Sequence, residues 1–196
     1  MNILFLLFVM LFANSSEELI VDSDMSFEEA IKGTKAPQEI IDSISLIDVY
    51  YYSFDDKLHK GQLLVHSTCK NEVIEIFQII REIKFPVQKA IPIVQYTWSD
   101  NKSMQANNSS SFNYRFVANT NRLSLHAYGK AVDINPFQNP VVYADGKISP
   151  KGAKYDPKKP GTLRADSRIV KEFEKRGWRW GGKFTSFKDY HHFDKD

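Results

Sequence analysis

The side chains best suited to chemistry in this sequence include a histidine and an aspartate seven positions apart, His126 and Asp133. On a continuous helix that offset would separate the two residues by about 10 Å along the axis. Such a separation is too large for ligands that must each lie about 2 Å from one zinc ion. On a continuous strand the odd offset would place them on opposite faces. The pair can therefore meet at one metal only if the chain turns between them, and Gly129 is the residue that would permit the turn.

A second group of candidate ligands lies near the C-terminus, where Asp189 and Asp194 bracket His191 and His192. Imidazole and carboxylate groups suit zinc, and three protein ligands with one open position are typical of a catalytic zinc site. Spacing alone does not select this interpretation, because an isolated histidine is more often a packed or surface residue. From the residue types and spacing, metal binding and a structural role both stay open.

Several further motifs follow one another in order along the same part of the chain. They are Ser124-x-His126-x-x-Gly129-x-Ala131-x-Asp133, Ile134-Asn135-Pro136, Asn139-Pro140, Gly177-Trp178-x-Trp180-Gly181-Gly182 and Asp189-x-x-His192-Phe193. From about Ser111 to Asp194 the sequence thereby resembles the VanY-like zinc peptidases. That family contains D-alanyl-D-alanine carboxypeptidases and L-alanyl-D-glutamate endopeptidases, and it shares its fold with the sonic hedgehog signalling domain.

The resemblance implies a role for each matching residue. His126, Asp133 and His192 would bind Zn²⁺, and His191 would be a neighbour rather than a ligand. Asp189 would be the general base, at a position where the family has either Glu or Asp. Arg115 would hydrogen-bond the scissile carbonyl or its oxyanion, although a surface salt bridge is the alternative for this arginine.

The implied substrate is the stem peptide of peptidoglycan, cut by a zinc-activated water. Carboxypeptidase and endopeptidase activity both stay open, because the motifs do not determine which bond is recognised. A non-catalytic zinc module that binds peptidoglycan or a protein is the alternative function, since a fold alone does not determine activity. We expect Ser124 and Asn135 to orient the ligand-bearing loop. Tyr128, Trp178 and Trp180 are expected in the core or along the cleft.

The elements that must position these residues are predicted by hydrophobic patterning. Two β-rich segments, Ile44 to Phe54 and Gln62 to His66, predict a pair of antiparallel strands. Apolar residues at helical spacing predict an amphipathic helix from Asn71 to Lys84. A capping box at Ser26 predicts a short helix that ends at Gly33.

Two further segments lie between this helix and the first candidate ligand. Ile91 to Trp98 is predicted as a strand, and the Asn- and Ser-rich stretch Ser99 to Ser111 as a surface loop. Ser167 should cap a last helix that ends at Gly177, followed by a strand and turn. The predicted class is α+β, with a mostly antiparallel sheet and helices packed on one side, and the resemblance implies the hedgehog/DD-peptidase type.

Length and composition restrict the partners that the chain can have. The 196 residues are enough for one domain, and a net charge of +2 with scattered basic residues argues against nucleic acid. We expect a monomer. The one cysteine, Cys69, cannot form an intrachain disulfide and is expected to be buried.

The N-terminus carries an unbroken apolar run, Ile3 to Ala13, followed by small residues near Ser15. The run is short for a bilayer span and has the length of a signal-peptide core. We therefore predict a signal peptide at residues 1–15, export to the periplasm or beyond, and no membrane span after cleavage. An uncleaved anchor and a buried first helix are the alternatives. Residues 16–100 would be the N-terminal part of the catalytic domain or a family-specific extension, and residues 101–196 the zinc peptidase core.

Overall fold

Two nine-residue strands form the frame of the N-terminal half. Strand β2 (Ile44–Tyr52) pairs antiparallel with β3 (Leu58–His66) over its whole length, and β1 (Leu19–Val21) joins β3 in parallel. The predicted antiparallel pair is confirmed, although β3 begins at Leu58 rather than Gln62. The computed structural model describes residues 18–118 and 120–196, so the predicted signal peptide lies outside the described residues.

Helix α3 (Lys70–Glu82) packs against β2, as its sequence pattern predicts. Its buried residues recur at intervals of three and four, which places them on one face of a helix. They are Val73, Ile76, Phe77 and Ile80. Cys69, immediately before the helix, is buried as expected.

The remaining helices are short. Helix α1 (Phe27–Ala30) has the predicted capping box, in which the N–H of Glu29 donates to Ser26 Oγ and the N–H of Ser26 donates to Glu29 Oε2. The others are α2 (Gln38–Ile41), α4 (Asp100–Gln105) and α5 (Arg168–Lys175), with 3-10 helices at Ser67–Cys69, Ile93–Tyr96, Leu125–Tyr128 and Gly181–Lys183. Helix α5 begins after Ser167, as predicted.

Two small antiparallel sheets form the C-terminal half. One has the strand order β4 (Ala131–Asp133), β9 (His192–Asp194) and β7 (Arg179–Trp180). The other has the order β6 (Ile148–Ser149), β5 (Val141–Val142) and β8 (Lys188–Asp189). The α+β class is thus confirmed, but the described residues form three small sheets where one was predicted.

The interpretation of residues 91–111 was wrong in two places. The predicted strand Ile91 to Trp98 is instead a 3-10 helix over Ile93–Tyr96 that follows Pro92. The predicted surface loop Ser99 to Ser111 contains helix α4 and then runs through the interior, where Asn108 is 1% exposed. The Asn108 amide is buried because it forms two hydrogen bonds of 2.9 Å with the backbone of Ile91. Short polar side chains can enter a core in this way, so their low hydrophobicity does not place them at the surface.

One buried cluster joins both halves of the chain. It includes Val49 of β2, Phe77 of α3, Val132 of β4, Phe173 of α5 and Phe193 of β9. Phe173 and Phe193 stack with ring centroids 3.8 Å apart, which anchors β9 against α5. The short strands that carry the candidate ligands are therefore held by core packing rather than by long hydrogen-bond ladders.

Over residues 18–118 and 120–196, none of the helices has both the length and the apolar character that a membrane crossing requires.

Candidate metal centre and cleft

A tight turn brings the first two candidate ligands together. Ser124 precedes the 3-10 helix Leu125–Tyr128, and its Oγ accepts a hydrogen bond of 3.3 Å from the N–H of His126. Gly129 then adopts a left-handed φ of 64° and leads into β4, which ends at Asp133. The turn predicted at Gly129 is therefore present. Its site is tightly enclosed, since a Cβ atom at this glycine would lie 2.6 Å from the backbone nitrogen of His66.

Strand pairing supplies the third candidate ligand. In the antiparallel register of β4 and β9, Asp133 lies opposite His192. His192 Nδ1 is 3.0 Å from Asp133 Oδ1, and His126 Nε2 is 3.2 Å from both Asp133 Oδ2 and His192 Nδ1. One potential ligand atom from each of the three residues lies within 4.8 Å of the other two.

In each of the two imidazoles, His126 and His192, one ring nitrogen points towards the other candidate ligands (the inner nitrogen) and one points away from them (the outer nitrogen). Each outer nitrogen faces a hydrogen-bond acceptor. His126 Nδ1 is 2.6 Å from the carbonyl oxygen of Ser111, so it carries the proton and donates it there. His192 Nε2 is 3.3 Å from Asp194 Oδ2, a contact that favours a proton on that nitrogen. With these tautomers the inner nitrogens present lone pairs towards one another and towards Asp133. Such acceptors to a histidine's second nitrogen are characteristic of metal-ligating imidazoles.

The spacing of the three ligand atoms fits a zinc-sized ion. Zinc binds imidazole nitrogen and carboxylate oxygen at about 2.0–2.1 Å, so ligand atoms at neighbouring corners of a tetrahedron lie about 3.3 Å apart. The two imidazole nitrogens are 3.2 Å apart and each lies 3.0–3.2 Å from a different oxygen of Asp133, so a single oxygen could reach both corners after a small rotation of the carboxylate. Two neutral nitrogens and one carboxylate also form a donor set that suits zinc.

Charge in the cluster favours a bound cation. Burial opposes ionisation of Asp133, but the nearby His126 and His191 and the hydrogen bonds of its carboxylate hold its pKa well below the usual value. Burial also opposes a charged imidazole at His192, yet hydrogen bonds to Asp133 and Asp194 raise its pKa to about 10. The metal-free cluster therefore stabilises a positive charge on the His192 ring, and a metal ion would supply that charge when the inner nitrogen binds it through its lone pair.

Asp189, the predicted general base, lies beside the cluster at the end of β8. Its Oδ1 is buried and lies 3.0 Å from His191 Nε2, although the two atoms are not aligned for a hydrogen bond. His191 is buried as well, and its Nδ1 is 2.7 Å from the carbonyl oxygen of Asn139. Its Nε2 lies 3.9 Å from Asp133 Oδ2, outside the three-residue group. His191 is thus positioned as a neighbour of the centre, between the carboxylates of Asp133 and Asp189.

Arg115, the predicted oxyanion donor, lines the same cavity. One of its terminal nitrogens is 3.2 Å from Asp100 Oδ2, at the first turn of α4. Within the described part of the chain, no acceptor forms a hydrogen bond with its buried Nε. The arginine is therefore anchored at one nitrogen and has donor capacity left.

A cavity of about 570 Å³ opens over these groups. Its wall includes the three candidate ligands together with Asp189, Arg115 and Phe184. The volume lies within the range of about 300–1,000 Å³ found for small-molecule sites. Trp178 and Trp180 are buried in the core, whereas Tyr128 is about one-third exposed. Of the expected aromatic residues, none of the three lines this cavity.

Asn135 lies two residues after Asp133, and its side chain hydrogen-bonds to the backbone of another segment. Its Oδ1 accepts from the N–H of Gln88 at 2.9 Å, and its Nδ2 donates to the carbonyl oxygen of Pro86 at 2.7 Å. The ligand strand is thereby fastened to the segment after α3, in line with the orienting role expected of this residue.

The sequence assigned no role in the site to Ser111, Asp100 or Asn139, although Asn139 belongs to one of the motifs that carry the resemblance. Ser111 and Asn139 contribute backbone carbonyls, which no residue type reveals. Ser99 is the N-cap of α4 and Asp100 is its first residue, so the N-cap pattern could have predicted where this helix begins. Its contact with Arg115 depends on tertiary structure.

Comparison with known families gives one match. Residues 118–195 match the family model described as D-alanyl-D-alanine carboxypeptidase. The matched segment contains His126, Asp133, Asp189 and His192 and begins after Arg115. It confirms the VanY-like resemblance over that segment. No curated protein and no solved structure matches the chain.

Proposed function

We propose that this protein is a zinc peptidase that hydrolyses peptide bonds in peptidoglycan stem peptides. The observation that carries the proposal is the convergence of His126 Nε2, His192 Nδ1 and the Asp133 carboxylate in a cavity that also contains Asp189 and Arg115. The matched family description, D-alanyl-D-alanine carboxypeptidase, supports the substrate class. Both reactions of the family stay candidates: removal of a terminal D-residue and cleavage between L-alanine and D-glutamate.

The proposed mechanism assigns one task to each residue. A zinc ion held by His126, Asp133 and His192 would lower the pKa of a bound water towards neutrality. Asp189 accepts the proton of the attacking water and returns it to the leaving amine. Arg115 donates to the oxygen that becomes negative, and such stabilisation is commonly worth several kcal/mol. Asp100 holds the Arg115 guanidinium in place for that task.

We propose the hedgehog/DD-peptidase arrangement for the fold and assign residues 16–100 to the same domain as the 101–196 core. The cluster shared between β2, α3, β4 and β9 supports this assignment. A hydrogen bond of 2.8 Å from the N–H of His66 to the carbonyl oxygen of Gly129 supports it further. We expect a monomer, which light scattering of the purified protein would test.

We also propose export, because the substrate lies outside the cytoplasm and the run Ile3 to Ala13 has the pattern of a signal peptide. N-terminal sequencing should find a mature protein that begins near Ser16 in the envelope or medium. Full-length protein confined to the cytosol would contradict this proposal.

The test of function is incubation of the zinc-loaded protein with defined stem peptides, followed by mass spectrometry of the products. Loss of one terminal D-alanine identifies a carboxypeptidase, and release of L-alanine from D-glutamate identifies an endopeptidase. Binding without any product, at every metal loading, would replace the peptidase with a binding module.

A further inference from the structure

Four cationic side chains line the cavity above the candidate metal centre, and three of them have acidic partners. Arg115 contacts Asp100, Arg179 contacts Asp194 at 2.7 Å, and Lys183 contacts Glu174. The fourth is Arg122. Across residues 18–118 and 120–196, no group forms a hydrogen bond or ion pair with its guanidinium. The cavity wall thus has one cation whose charge is not compensated by a described neighbour.

The backbone around Arg122 is held in place. Phe116 and Leu123 pair across a small hairpin, in which the N–H of Val117 donates to the carbonyl oxygen of Arg122 at 2.9 Å. The N–H of Arg122 donates to Thr120 Oγ1 at 3.2 Å. The residue lies four positions before His126, on the segment that leads into the ligand-bearing turn. Its exposed side chain therefore projects from an anchored backbone and lines the same cavity as the three candidate ligands.

We propose that Arg122 binds the free α-carboxylate of the substrate residue that follows the scissile bond. The inference rests on the proposed function and deepens it. In both candidate reactions the residue after the scissile bond has a free α-carboxylate. A terminal D-alanine has a free α-carboxylate, and a D-glutamate linked through its γ-carboxyl group has one too. One guanidinium could thus serve either reaction, since it forms two parallel hydrogen bonds with a carboxylate.

The distribution of charge in the cavity supports this orientation. Asp189 lies beside the centre and would repel a substrate carboxylate, whereas the charge of Asp194 is offset by Arg179 and that of Asp133 would be offset by a bound metal ion. Arg115 and Arg179 already contact acidic side chains, so a substrate carboxylate would have to compete with Asp100 or Asp194 for them. Arg122 can donate hydrogen bonds to the substrate carboxylate without first breaking an ion pair with any of the described residues.

The experiment compares matched peptides that differ only in that carboxylate. One pair ends in D-Ala-D-Ala as the free acid or the amide, and the other contains L-Ala-γ-D-Glu with a free or amidated α-carboxyl group. The zinc-loaded full chain should prefer the free acid by about 10- to 100-fold in kcat/KM, the range expected for a hydrogen bond to a charged group. Arg122→Ala should lose that preference and cleave the amide at the parental rate. The pair that is cleaved identifies which carboxylate is the ligand.

Two controls separate charge recognition from a folding defect. Arg122→Lys keeps the positive charge but loses the two parallel N–H donors of the guanidinium, so it should retain part of the preference for the free acid. Arg81→Ala removes an exposed arginine that lies outside the cavity, on α3, and should leave the preference unchanged. Equilibrium binding of the same peptides to the Asp189→Asn variant gives the comparison without turnover, and the free acid should again bind more tightly.

The outcomes distinguish the two proposals. If Arg122→Ala keeps the full preference for the free acid, Arg122 is not the carboxylate site. Cleavage of acid and amide at equal rates by the parental protein would also overturn the inference, while leaving the peptidase function intact. If the parental protein cleaves none of the four peptides, the proposed function fails and the inference fails with it.

Discussion

His126 Nε2 lies 3.2 Å from His192 Nδ1, although the two residues are 66 positions apart in the chain. Both nitrogens are on the inner side of their rings, and the Asp133 carboxylate contacts both of them. Neutral imidazole nitrogens with facing lone pairs repel each other unless a proton or a metal ion lies between them. The contact therefore marks a position that a proton takes in the metal-free protein and that a metal ion held by all three residues could take in its place.

Metal content should distinguish the two adjacent histidines. His192→Ala removes a predicted ligand, so the purified variant should lose both zinc and activity. His191→Ala removes a neighbour that contacts Asp189 and Asn139, so zinc should stay close to stoichiometric. Elemental analysis of both variants measures this. Full zinc in His192→Ala together with loss from His191→Ala would exchange the two assignments.

Replacement of the proposed base should separate turnover from metal binding. Asp189→Asn keeps the shape of the side chain but removes the proton acceptor, so kcat should fall by about 10²- to 10⁴-fold. Zinc content and the unfolding midpoint should stay near the parental values, because Asp189 lies outside the three-residue group. The rate of peptide cleavage and elemental analysis check both parts. A parental rate in this variant would exclude Asp189 and make Asp194 the next candidate.

Zinc affinity should rise with pH. The pKa of His192 is raised from 6.5 to about 10, so in chelator-treated protein near neutral pH its imidazole is protonated. Zinc must displace that proton, and affinity should increase by up to about tenfold per pH unit as the proton becomes easier to remove. Competition with a chelating dye between pH 6 and pH 8 measures the slope. A flat profile would contradict the protonated state.

The same pKa shift has a consequence for the stability of the chelator-treated protein. A raised folded-state pKa contributes stability that is fully present below the unfolded value of 6.5 and is lost as pH rises through about 10. Urea unfolding of the metal-free protein should therefore show this contribution weakening on the alkaline side of neutrality. His192→Gln should lack this component.

The turn between the first two ligands should not tolerate a side chain. Gly129→Ala imposes a left-handed φ on alanine and also forces its Cβ to 2.6 Å from the backbone nitrogen of His66. Gly146→Ala is a matched control, since Gly146 has φ 81° and no atom within 4 Å of the position that a Cβ would take. The control should cost about 1–2 kcal/mol of unfolding free energy from the backbone conformation, and Gly129→Ala more. Denaturant unfolding and zinc content measure the difference, and equal costs would mean that the enclosure of Gly129 is unimportant.

Local sequence was sufficient for some parts of this protein. The spacing of Val73, Ile76, Phe77 and Ile80 predicted α3, because a helix repeats its buried face every three to four residues. The offset between His126 and Asp133 allowed them to share a metal only if the chain turned between them, which Gly129 would permit, and the structure has a turn there. The motifs that carried the family resemblance included all three residues that now converge on one site.

Other features were decided only when distant segments came together. Asp133 lies opposite His192 because β4 and β9 pair, and the register of such short strands depends on core contacts such as Phe173 with Phe193. Residues 99–111 look polar and exposed in sequence, yet Asn108 is buried because its amide bonds to the backbone of Ile91. A residue's own type cannot encode such a partner.

The sequence by itself therefore determined which side chains could form the metal centre and where the chain would have to turn for them to meet. The tertiary structure alone decided which backbone carbonyls orient the imidazoles, because every residue has a carbonyl and its type does not reveal the partner. It also decided that Asp100 holds Arg115 and that Arg122 lines the cavity, because both depend on how separate segments pack together.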